Sequence, residues 1–199
     1  PQDPEGLVAA VGKDEFNARL DSIFTLSQKN IFGGGKEIDA FAGLKGLYNQ
    51  GNQPNLHISW LFNFSGRRDL SQKWVRAICN EFYGTEGIHG YGYGQDEDQG
   101  QMGAWYVLSS IGLFDVKGLT APDPSFQIGS PRFDKVTIKL PEQVRKGPFV
   151  IQADDNSDKN IYIKQAVLNG KIEPKLNLPY KELLKGGTLQ LKLSSTANP

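Results

Sequence analysis

Two short segments concentrate the side chains that can do chemistry. The first, Tyr48 to Trp60, reads YNQGNQPNLHISW. It places Asn49, Gln50, Asn52, Gln53 and Asn55 within seven residues. An amide both donates and accepts, so it suits sugar hydroxyls, and its oxygen suits calcium. Turn chemistry explains Asn and Gln beside glycine. It explains less well why neutral amides continue up to an apolar stretch. Pro54 is placed to start a helix there. His57, four residues before Leu61 on an apolar face, reads either as a satisfied core histidine or as a ligand.

The second segment, Gly87 to Trp105, reads GIHGYGYGQDEDQGQMGAW. Its glycines allow tight turns. Asp96, Glu97 and Asp98 stand in a row just before an apolar run. Two readings stand side by side. In one, the acids complement the positive end of a helix dipole and one of them caps it. In the other, Asp96 and Asp98 point the same way from extended backbone into a cleft. Paired carboxylates there suit general-base work on water, or a hard cation. Tyr91 and Tyr93 read as a sugar-stacking wall or as ordinary core residues.

Other chemistries are poorly served. With two histidines and one cysteine, a His/Cys zinc or copper site is not expected. GxSxG, CxxC and a phosphate-binding glycine loop are absent from the sequence. Cys79 lies in an apolar helical window and reads as a small buried core residue.

The elements that must position these segments change character near residue 120. Before it the pattern is helical. Asp3, Pro4 and Gly12 read as cap, first turn and stop. Lys13 to Ser27 carries Phe16, Leu20, Ile23, Phe24 and Leu26 at helical spacing. Three glycines at 33–35 mark a turn, and Leu56 to Phe64 is strongly apolar. Asp69 to Phe82 is the clearest amphipathic helix. Gly100 to Phe114 predicts a helix buried on most sides. Beyond residue 120, FQIGSP, KVTIKL, FVIQAD, NIYIKQAVLNG and TLQLKLSS alternate apolar and polar residues between turn signals. They predict part of an antiparallel sandwich. The fold expectation is therefore α+β, with a helical region over 1–120 and a strand region over 121–199. Neither half has enough elements to cover its own apolar faces. PQDPEGL carries no leader pattern, so the chain is expected to be part of a longer protein.

Composition narrows the partners. The 199 residues hold 22 Lys plus Arg and 22 Asp plus Glu, a formal net charge of zero. That balance speaks against nucleic acid and against a polybasic membrane anchor. No apolar run approaches the roughly 18 residues of a membrane-spanning helix.

Taken together, four stretches resemble glycoside hydrolase family 92, the calcium-dependent, inverting exo-acting α-mannosidases. GNQPNLHISWLFNFSG is similar to that family's GN(E/Q)PxxHxxYLYNY(A/S)G stretch. DEDQGQMGAWYVLSSIGLF is similar to its (D/E)DxGQ(M/L)(S/G)AWYVxSAxGxY block. FQIGSPRFDKVTI resembles IGSPxFxKxxI, and PQDPEGL resembles PHDxxGL. The matches cover most of residues 1–140 in order.

The resemblance implies later helices of an (α/α)6 barrel followed by strands that complete a β-sandwich, as part of a larger two-domain enzyme. It implies Asp98 as the general base activating water, with Asp96 assisting. It implies Gln53, with Asn52 beside it, as holding Ca2+. Asn49-Gln50 stand where α-1,2-specific members carry His-Glu against the leaving sugar, so these two positions are expected to bind substrate with a different linkage preference. The general acid is expected upstream of Pro1. The implied partners are a mannose-containing glycan and the N-terminal part of the same protein, in a periplasmic, secreted or cell-surface setting. Two alternatives remain: a hydrolase of mannose-1-phospho-mannose in the same family, and a non-catalytic carbohydrate-binding module.

Overall fold

The computed structural model describes residues 2–34, 47–84, 99–144 and 147–197. The chain divides into two compact units, Pro1–Val107 and Leu108–Pro199. The compositional change near residue 120 lies inside the second unit.

The first unit opens with α1 (Pro4–Val11). Asp3 caps it, its carboxylate accepting the Gly6 N–H at 2.8 Å. Pro4 sits in the first turn, and Gly12 ends the helix at φ 88°. The start and stop follow the sequence signals because each meets a backbone need: an unpaired N–H, a missing N–H and a left-handed φ. α2 (Lys13–Gln28) buries Phe16, Leu20 and Phe24 on one stripe, whereas Leu26, expected with them, falls two residues past Phe24 on another face and is 45% exposed. α4 (Arg68–Glu81) buries Leu70, Trp74, Val75, Ile78 and Cys79. Asp69 is buried in its first turn and takes both Arg67 guanidinium bonds, at 2.9 and 2.7 Å. Phe24 is the hub between these helices. Its ring stacks on Trp74 at 5.6 Å and tilts against Tyr48 at 4.7 Å.

The apolar stretch after Pro54 does not form one regular helix. It folds as 3-10 turns at Gln53–Asn55 and Ile58–Trp60, then the short α3 (Phe62–Ser65). Gly66 ends α3 in the left-handed region.

α5 spans Gln101–Ser110, shorter than the apolar run that predicts it. Gly112, at φ 81°, turns the chain so tightly that a Cβ there would lie 2.8 Å from the Gly129 carbonyl oxygen. Leu113–Phe114 then become β1. The helix is also not buried on most sides: Met102 and Trp105 are buried, whereas Val107 is 59% exposed. An almost uniformly apolar sequence gives no stripe to read, so packing alone decides which face is covered.

The second unit is a sandwich of two sheets. One has the order β1-β2-β7, with β2 at Ser125–Ile128 and β7 at Asn177–Pro179. The other has the order β3-β4-β8-β5-β6, formed by Lys135–Ile138, Phe149–Asp154, Gly187–Ser194, Tyr162–Leu168 and Lys171–Ile172. One core joins the two sheets. Leu113, Ile128 and Leu178 from the first meet Phe149, Ile151, Leu189, Leu191 and Leu193 from the second. α6 (Tyr180–Lys185) adds Leu183. Each such side chain contributes about 1.5–3 kcal/mol of burial.

Two departures from simple antiparallel alternation are visible. β4 and β8 pair in parallel, Ile151 opposite Leu189. β5 has a register shift between Ile163 and Gln165, so Ile163 and Ala166, three apart, both face inward. An extra residue in a strand moves the following side chains to the other face.

Candidate functional site

Residues 49–56 form the described part of the site. Asn52 N donates to the Asn49 carbonyl at 3.3 Å, Asn55 N to Asn52 at 2.8 Å and Leu56 N to Gln53 at 3.1 Å. These bonds wind the amide segment into a short turn. Asn49 Oδ1 accepts the Gly51 N–H at 2.8 Å, an Asx-type bond that starts it. The turn presents Asn52, which is exposed, and Gln53, which is half-buried.

Its back is fixed. Trp105 Nε1–H donates to the Leu56 carbonyl at 2.8 Å, and Trp105 is 1% exposed. Trp105 lies in α5, which begins three residues after Asp98. The two sequence segments are therefore joined by this buried bond. His57, half-buried beside it, has its pKa lowered by burial, which holds the ring neutral at pH 7.

Beneath the turn runs a chain of polar groups. Tyr48 N donates to Ser27 Oγ at 2.9 Å. The Tyr48 hydroxyl donates to Gln50 Oε1. Gln50 Nε2 donates to the Tyr83 hydroxyl at 2.8 Å. That hydroxyl donates to the Met102 carbonyl at 3.1 Å, in the first turn of α5. Burial pushes the Tyr48 phenol well above its ordinary pKa, and neighbouring Tyr83 adds to this, so it remains a donor.

The approach from the other side is strained. Ile31 and Phe32 have φ values of 52° and 53°, left-handed positions that side-chain-bearing residues rarely adopt. Each costs about 1–3 kcal/mol and needs surroundings that enforce it. Phe32 is fully buried, and its carbonyl accepts the Gln50 N–H at 2.9 Å. Gly33 follows at φ 83°, where any Cβ would collide with the Asn49 amide. The first of the three glycines is thus required by close approach.

The expected site residues fall into three groups. Asp96 and Asp98, with Tyr91 and Tyr93, lie outside the described residues. Asn52 and Gln53, expected at calcium, share one turn. Asn49 and Gln50, expected against substrate, are 1% and 0% exposed. Their side chains bond within the chain. Sequence reasoning missed Tyr48, Tyr83 and Trp105 as supports of the turn. The signal was an aromatic residue beside each polar segment, which reads equally well as ordinary core.

Among the described residues, no group of three or more His, Cys, Asp or Glu is placed to hold a metal. The donors offered at the turn are neutral amide oxygens, a type that Ca2+ accepts among its roughly six to eight oxygen ligands. Asn52 and Gln53 fit as two of these.

A helical unit followed by a two-sheet sandwich has clear counterparts. The model of the glycosyl hydrolase family 92 catalytic domain matches residues 1–195. This chain belongs to glycosyl hydrolase family 92. An uncharacterized secreted glycosidase of Arthroderma benhamiae is 30% identical over 196 residues, which are 97% of this chain and 22% of that protein. A family 92 α-mannosidase from Bacteroides thetaiotaomicron superposes with a TM-score of 0.79 at 31% identity, covering 100% of this chain and 24% of its own. An inverting mannosidase of the same family and organism gives 0.77 at 33% identity, covering 99% and 26%. The chain thus spans between 22% and 26% of the length of these relatives.

Proposed function

We propose that the protein containing this chain releases terminal α-linked mannose with inversion, assisted by Ca2+. The observation that carries this reading is the amide turn at 52–56, which is tied by the Trp105–Leu56 bond to the helix that follows Asp96 and Asp98. Membership of a glycosidase family with α-mannosidase neighbours supports the reaction class.

In this reading Asp98, with Asp96 assisting, takes the proton from a water that attacks the anomeric carbon. An acid from outside this chain protonates the departing glycosidic oxygen. Inversion requires the two groups on opposite faces of the sugar, about 6.5–9.5 Å apart, with water between them. Asn52 and Gln53 would hold a calcium ion, which would supply charge to organise vicinal hydroxyls of the sugar being cleaved. Secretion or a periplasmic location belongs to the same proposal, supported by the relative named as a secreted glycosidase.

The test is hydrolysis of a panel of α-linked mannobioses by the full-length protein, with and without a calcium chelator. Chelator-sensitive mannose release with inverted anomeric configuration is expected, and Gln53→Ala should raise the calcium needed for half activity. Activity that is indifferent to the chelator would sink the metal role, and absence of mannose release from every linkage would sink the substrate.

A further inference from the structure

We propose that Gln50 is a positioning residue rather than a sugar contact: it locks the amide turn to the first turn of α5 from inside the protein. This inference rests on the functional reading above and assigns that site a support.

The polarity of the buried chain carries the argument. The Met102 carbonyl can only accept, so the Tyr83 hydroxyl must donate its one proton to it. Tyr83 must then accept from Gln50, which places Nε2 toward Tyr83 and Oε1 toward Tyr48. Tyr48, 4% exposed, must in turn donate. Along these three bonds, only a side chain that donates at one end and accepts at the other completes the chain. Gln50 is 0% exposed and both ends of its amide are occupied. The other end of the chain, Met102, lies four residues after Asp98, so the lock acts on the first turn of the helix that follows the base.

An ionised Glu at this position accepts only. It would draw the Tyr83 proton toward itself and leave the Met102 carbonyl without that bond.

The experiment compares wild type, Gln50→Glu and Tyr83→Phe in the full-length protein on a mannobiose and on an aryl α-mannoside that lacks a leaving sugar. Gln50→Glu is expected to lose about tenfold or more in kcat at neutral pH, equally on both substrates, with KM within about twofold. Tyr83→Phe keeps the ring packing against Trp105 but lacks the proton for Met102, and should show the same kcat loss on both substrates. A loss confined to the mannobiose, or a kcat unchanged in both variants, would overturn the positioning role. A wild type that cleaves neither substrate overturns the functional reading instead.

Discussion

Replacing Trp105 by Phe tests whether the amide turn is held from behind. Trp105 is 1% exposed, and its indole N–H is the donor to the Leu56 carbonyl at 2.8 Å. Phe keeps an aromatic face toward Tyr83, whose ring lies 5.9 Å away at 13°. It loses the N–H and part of the ring volume. A buried carbonyl deprived of its partner costs about 1–3 kcal/mol. The missing ring atoms, at about 0.8 kcal/mol per buried carbon, add roughly 1–2 kcal/mol. Together the variant should be about 2–5 kcal/mol less stable. Urea unfolding of the full-length protein, followed by tryptophan fluorescence and circular dichroism, measures this. Because Leu56 closes the turn that carries Asn52 and Gln53, the calcium concentration for half activity should rise as well. A loss below about 0.5 kcal/mol, which is the size of an ordinary surface change, with an unchanged calcium midpoint would refute the reasoning.

Two further perturbations address the base and the sandwich. Asp98→Asn in the full-length enzyme should abolish turnover while leaving calcium binding by calorimetry largely intact; a wild-type rate would remove Asp98 from the base role. Leu178→Ala, at a position 0% exposed in the core shared by both sheets, should cost about 2–5 kcal/mol in denaturant unfolding; a cost below about 1 kcal/mol would mean that the two sheets do not depend on a common core.

Those effects rest on features of unequal legibility. Elements whose pattern has one physical interpretation are legible from residues alone. Asp3, Pro4 and Gly12 bracket α1 because capping and φ constraints act within a few residues. The stripe in Arg68–Glu81 and the alternation in β4 and β8 fix which faces are buried, because the periods of helix and strand differ. The order of the amide and acidic segments, and the family they resemble, also come from residues alone.

Tertiary structure decided what local pattern leaves open. The almost uniformly apolar α5 carries no stripe, so only packing set Met102 and Trp105 inward and Val107 outward. The bulge in β5 and the parallel β4–β8 pair depend on partners far along the chain. Most consequential is the amide segment. Five amides look alike in sequence, each able to meet sugar, metal or backbone. Burial separates them: Gln50 faces two tyrosine hydroxyls and Asn49 a glycine turn, whereas Asn52 faces outward. The physical reason is that a buried amide must satisfy both its ends, and its partners, Tyr48 and Tyr83, are brought to it only by the folded chain.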